Sequence, residues 1–113
     1  AWHPSPEVRA NITAPPPGPL GTPAFLEGAR ALARAGLVLD VWCYHTQLPL
    51  VLELARAVPE LVIVLDHLGG PLGVGPFAGQ RDAVFAEWRG MIRDLAACPN
   101  LRVKLGGLAM QVG

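Results

Sequence analysis

The apolar run at residues 61–65, LVIVL, most narrows what this chain can fold into. Five consecutive branched aliphatics offer water no polar side, which suits a strand buried on both faces, as in a parallel sheet covered by helices. The run stops on Asp66 and His67, then breaks into Gly69, Gly70 and Pro71. Parallel neighbours require long crossovers, usually helical, and the flanking sequence supplies them. Thr22 is placed to cap a helix that opens on Pro23, continues through AFLEGARALARA and stops at Gly36. LVLDVWCY follows as a strand at 37–44, and LPLVLELARAV forms a second helix ended by Pro59. After the strand at 61–67 comes the glycine-rich loop LGGPLGVGPFAGQR. Val84, Phe85, Trp88, Ile92 and Leu95 then recur at helical spacing within 82–97, and NLRVKLGG gives a third strand at 101–106.

This alternation predicts right-handed βαβ crossovers and three parallel strands adjacent in chain order, with helices on one side. A faint repeat agrees. LARA at 32–35 begins thirteen residues before His45, LARA at 54–57 begins thirteen before His67, and LAAC at 95–98 begins thirteen before Leu108. Each unit is a helix followed by a strand, as in a (β/α)₈ barrel or a doubly wound sheet. Three strands cannot close a barrel, which typically takes about 250 residues. The expected fold class is therefore α/β, a partial (β/α)₈ TIM barrel. Residues 1–113 are read as the central part of one such domain, incomplete at both ends. Residues 1–22 form a proline-rich loop, since seven of the twelve prolines fall within 1–23. Residues 23–113 form the helix–strand repeats. A complete three-stranded α/β unit, serving as a non-catalytic interaction domain, is the alternative.

Composition limits the partners. A formal net charge of zero gives no electrostatic footprint for nucleic acid or an anionic membrane. Asp40, Glu53, Arg56 and Asp66 interrupt every candidate membrane span. The opening AWHPSPEVR has no basic segment followed by an apolar core, so a cytoplasmic location is expected. Cys43 and Cys98 then read as reduced thiols rather than a disulfide framework. The sequon Asn11-Ile12-Thr13 reads as coincidence in that setting. The expected partner is a small-molecule substrate; the sequence says nothing of oligomeric state.

Catalytic groups in parallel α/β folds project from the C-terminal ends of strands. His45 and His67 both stand there, in consecutive units. Period-two alternation puts Ile63, Leu65 and His67 on one face of their strand, and Val41, Cys43 and His45 on one face of theirs. If that face lines the barrel, both imidazoles converge on its mouth; otherwise each merely closes a loop. Asp66 would then point to the helix layer and bond backbone amides in the Gly69-Gly70 turn. Lys104 is either a cation near the site or a solvated strand end, and Tyr44 is the aromatic best placed to reach a pocket through its hydroxyl. GGPLGVGP lacks the Lys-Ser/Thr of a phosphate loop and the spacing of a dinucleotide fingerprint.

The strings YHTQLP, LARAVPELVIVLDH, VIVLDHLGGPLGVGPFAG and FAEWRGMIRDLAACPNLRVKLGGLAM together resemble the amidohydrolase-related family of TIM-barrel hydrolases, which includes lactone hydrolases and decarboxylases. The resemblance covers essentially the whole chain. It implies a hydrolase acting on a small carboxylated or lactone-type substrate, with a metal-dependent decarboxylase as the alternative within the family. It also implies either a divalent metal such as zinc, or metal-independent catalysis by histidines and an acid. His67, in the Asp-His motif, matches the family's active-site histidine. His45 falls where metal-using relatives place another ligand, and Tyr44 and Lys104 are the candidate substrate-binding residues. The His-x-His and the late Asp of metal-using members are not found among these residues, whose histidines are His3, His45 and His67.

Overall fold

A computed structural model describes residues 18–107. Most of the proline-rich segment, His3 and the residues from Leu108 onward lie outside that range. The order is α1 (Pro23–Arg34), β1 (Leu39–Val41), α2 (Leu48–Ala57), β2 (Ile63–Leu65), α3 (Arg81–Ala96) and β3 (Leu101–Val103). Short 3₁₀ turns fill Pro19–Gly21, His45–Gln47 and Gly75–Phe77, and a tight turn of different backbone fills Asp66–Gly69.

The ends of α1 form where the sequence places them. The Thr22 hydroxyl accepts the Phe25 N–H at 3.2 Å, with Pro23 in the first turn. At the other end Gly36 takes φ 67°, the Gly36 N–H donates to Ala33 and the Leu37 N–H to Leu32. These two bonds are the Schellman closure, which a left-handed residue makes possible. The three strands are parallel in the order β1-β2-β3, with Leu39, Ile63 and Leu101 side by side. Each ladder is only three residues long, shorter than the apolar runs suggest, because the chain turns away directly after Val41 and Leu65.

Register fixes which side chains share a face. Leu39, Val41, Ile63, Leu65 and Leu101 lie on one face. There Val41, Ile63 and Leu65 join one core with Ala29 of α1, Val51, Leu54 and Ala55 of α2, and Leu95 of α3. All three helices therefore pack on a single side of the sheet, as a barrel segment requires. Burying one such leucine or isoleucine contributes about 1.5–3 kcal/mol. Asp40, Val64 and Arg102 stand on the opposite face, and both charged residues are exposed.

This corrects the expected assignment of faces. Val41, Cys43, Ile63 and Leu65 line the helix layer, not the barrel interior. An all-apolar strand has period two without a phase, and only tertiary packing sets which parity turns inward.

Asn100 ties the layers together. Its side-chain amide is buried and donates to the carbonyls of Ala55, Val58 and Leu61 at 3.1, 3.2 and 2.9 Å, while its own carbonyl accepts the Ile63 N–H. One side chain thus gathers carbonyls from the end of α2 and from the turn that follows it, where helical partners run out.

Candidate active site at the C-terminal edge of the sheet

Beyond β2 the chain enters an uncommon conformation. His67 (φ 51°, ψ 41°) and Leu68 (φ 57°, ψ 22°) are both left-handed, and Gly69 and Gly70 follow at φ 72° and 45°. A non-glycine residue in this region costs roughly 1–2 kcal/mol, so neighbours must hold the turn. The Gly70 N–H donates to the His67 carbonyl at 3.1 Å, and the Trp88 indole N–H of α3 donates to the Leu68 carbonyl at 2.7 Å. Gly70 admits no side chain, because a Cβ there would stand 2.8 Å from the Cys43 carbonyl oxygen. Such strain persists mostly at functional positions.

The turn lays the His67 imidazole against the backbone that follows β3. A Cβ on Gly107 would fall 2.8 Å from both Cγ and Nδ1 of the ring, and Gly107 is itself left-handed at φ 64°. Trp42 meets the imidazole edge-on, with centroids 6.3 Å apart. Nδ1 is shielded from solvent and has no hydrogen-bond partner among the described residues. The GGL element thus has a physical reason: its second glycine is the shelf on which the histidine rests.

His45 lies elsewhere in the network. It is fully buried in the His45–Gln47 turn, and its backbone N–H donates to the Gly70 carbonyl at 3.2 Å, joining the turns after β1 and β2. Its Nδ1 accepts the Leu72 N–H at 3.3 Å, and Phe77 packs edge-on at 4.9 Å. An amide can only donate, so Nδ1 carries the lone pair and the neutral ring carries its proton on Nε2. Tyr44 is buried against Leu72 with Trp42 at 5.7 Å, and burial pushes its phenol above the ordinary value. Burial likewise pushes the Cys43 thiol up to about 12, which marks it as inert packing.

Lys104 has two carboxylate partners. Its ammonium lies 2.7 Å from Asp40 Oδ2 and 2.8 Å from Asp66 Oδ1, across all three strand ends. The hydrogen bonds it donates to Asp40, first, and Asp66, second, hold its pKa above the usual lysine value. Lys104 and Asp40 are about half exposed, whereas Asp66 is largely covered. Asp66 is therefore not the helix-side residue bonding turn amides that alternation suggested. It shares the open face with Asp40, and the Lys104 pairing carries it there.

Four contributors escaped the sequence reading: Trp88, Gly107, Asn100 and Asp40. Trp88 reads as packing from sequence, because an indole on an apolar stripe gives no sign of where its N–H points. Asp40, an acid inside an apolar strand, was the one readable signal, since a charge there needs a partner.

The described residues do not form a metal centre by themselves: among them no three His, Cys, Asp or Glu side chains gather around one point. A metal on Nε2 of His45 also conflicts with the tautomer that this hydrogen bond requires, because Nε2 would have to lose its proton while Nδ1 still accepts from Leu72.

The chain matches the amidohydrolase family over residues 8–111. It belongs to that family. An uncharacterized protein of Sinorhizobium fredii is 38% identical over 79% of this chain and 28% of its own length. An L-fucono-1,5-lactonase of Burkholderia multivorans is 34% identical over 77% of this chain and 29% of its own. A crystal structure of an amidohydrolase from Burkholderia multivorans with bound zinc superposes with a TM-score of 0.70 at 32% identity, covering 81% of this chain and 31% of that one. The chain thus spans less than a third of the length of these relatives. Its three parallel strands with intervening helices form part of a TIM barrel. No helix among the described residues is long and apolar enough to cross a membrane.

Proposed function

We propose that this chain supplies one sector of the active site of a cytoplasmic lactone hydrolase, with residues 1–113 forming the central part of a single barrel domain. The observation that carries this reading is the strained left-handed turn that sets His67 at the C-terminal edge of the sheet. With Nδ1 shielded, Nε2 is the nitrogen left to meet substrate. In the reaction, water adds to the lactone carbonyl, the ring C–O bond breaks, and a hydroxy acid results. His67 takes a proton from the water and returns one to the departing alkoxide, a task suited to imidazole.

Lys104 is the proposed substrate-binding cation. Held between Asp40 and Asp66, it presents donors and acceptors together, which suits a ring bearing several hydroxyls. Tyr44 forms the wall behind them. The lactonase name of the Burkholderia multivorans relative supports this substrate class.

A zinc-dependent reaction is the second reading, favoured by the zinc in the related crystal structure. In it His45 is the ligand, and ligation requires release of the Leu72 amide.

The test uses the full-length protein with L-fucono-1,5-lactone and a panel of other sugar-acid lactones. His67→Gln is expected to lower kcat by about 10²–10⁴-fold while leaving the melting temperature nearly unchanged. Normal turnover by this variant against every accepted lactone sinks the assignment. A chelator that abolishes turnover, restored by zinc, moves the conclusion to the second reading.

A further inference from the structure

Helix α3 lies outside the proposed chemistry, yet it reaches the turn that carries the imidazole. We propose that Trp88 is a positioning residue for His67, an inference that rests on His67 being the catalytic group.

Residues 66–70 connect β2 to the following loop, and two of their non-glycine members sit in the left-handed region. Without an external hold, the peptide between Leu68 and Gly69 would rotate towards the ordinary right-handed basin. The Trp88 indole N–H fixes that peptide's oxygen at 2.7 Å, from an element twenty residues further along the chain. The other bond closing the turn, from the Gly70 N–H to the His67 carbonyl, is local and moves with the turn. The His45 N–H, donating to the Gly70 carbonyl, ties the far end of the turn to the loop after β1, whereas the indole holds the Leu68–Gly69 peptide itself and ties it to α3.

Trp88 is itself well placed for this. It packs against the core shared by all three helices, and Phe85 lies against it with ring centroids 5.6 Å apart. The indole is thereby half-buried, so its N–H has reason to keep its partner. The chain of contact is continuous: indole N–H, Leu68 carbonyl, left-handed backbone, His67 ring on Gly107. Losing the indole bond frees the ring to leave that shelf.

Trp88→Phe tests this, because it keeps an aromatic ring beside Phe85 and deletes the donor. In the full-length protein, kcat for L-fucono-1,5-lactone is expected to fall about three- to tenfold, the population change that one hydrogen bond supports, with KM unchanged. The His67 imidazole resonances, followed by NMR, should shift or split as a second turn conformation becomes populated. A packing role alone would lower the melting temperature and leave the resonances and kcat of the folded protein where they were; that result overturns the inference. The two levels separate cleanly. If His67→Gln keeps full turnover, the catalytic reading fails, and the imidazole resonances of Trp88→Phe still decide whether Trp88 positions the ring.

Discussion

On one face of the sheet Val41, Ile63 and Leu65 are sealed beneath three helices; on the other Asp40, Asp66 and Lys104 share two ion pairs across the strand ends. The faces alternate residue by residue along the same short strands, so neighbouring positions answer to different physics. On the helix side, removal from water sets the energetics and each atom is held by shape. On the open side, charge pairing in contact with solvent adds little to stability. That face is free to be shaped by what it must bind. The contrast separates the residues that keep the protein folded from those proposed to meet substrate.

Substitutions at three positions probe that division. Leu65→Ala, on the helix face, should destabilise by about 2–5 kcal/mol in urea denaturation, the range for truncating a buried leucine. A value near zero would mean that the helix layer is not packed as described. Asn100→Ala removes the side-chain donor from the carbonyls of Ala55, Val58 and Leu61, of which Val58 keeps the Leu61 N–H, and should lower stability by about 1–3 kcal/mol. Asn100→Asp should not rescue it, because a carboxylate cannot donate. The smallest effect belongs to the open face: Asp40→Ala should leave the melting temperature unchanged while raising KM for a hydroxylated lactone. A large drop in melting temperature would show that the ion pairs serve the fold, and would erase the difference between the faces.

The strand order, the helix positions and the one-sided helix layer were legible in the sequence because they follow from local signals. Thr22, Pro23 and Gly36 punctuate α1, and the β-branched runs have nowhere to go but a parallel sheet. The sheet's polarity was not legible. In LVIVL both parities are apolar, so no residue within the run says which face the helices cover. Asp40 held the missing information, since its parity with Val64 marks the face open to polar groups. Extending the alternation to His67 failed for another reason: the strand ends at Leu65, and the left-handed backbone re-aims everything after it. That turn depends on Trp88 and Gly107, which lie twenty-one and forty residues beyond His67, and no local pattern reports such partners. His45 falls four residues past β1, in the turn that opens at His45, and its hydrogen bond to Leu72 emerges only once the loop is folded.

The Asn100 amide also bears on the order of events during synthesis. The carbonyls at the end of α2 belong to residues made some forty positions before the group that satisfies them. Until residue 100 is made, the Ala55 and Leu61 oxygens lack this donor while the Val58 oxygen has the Leu61 N–H, and β2 has no neighbour on the side where β3 will lie. Arrival of one side chain then closes the helix end and, through the Asn100 carbonyl and the Ile63 amide, begins the alignment of the next strand. Completion of the second unit thus depends on a side chain that only the third unit carries.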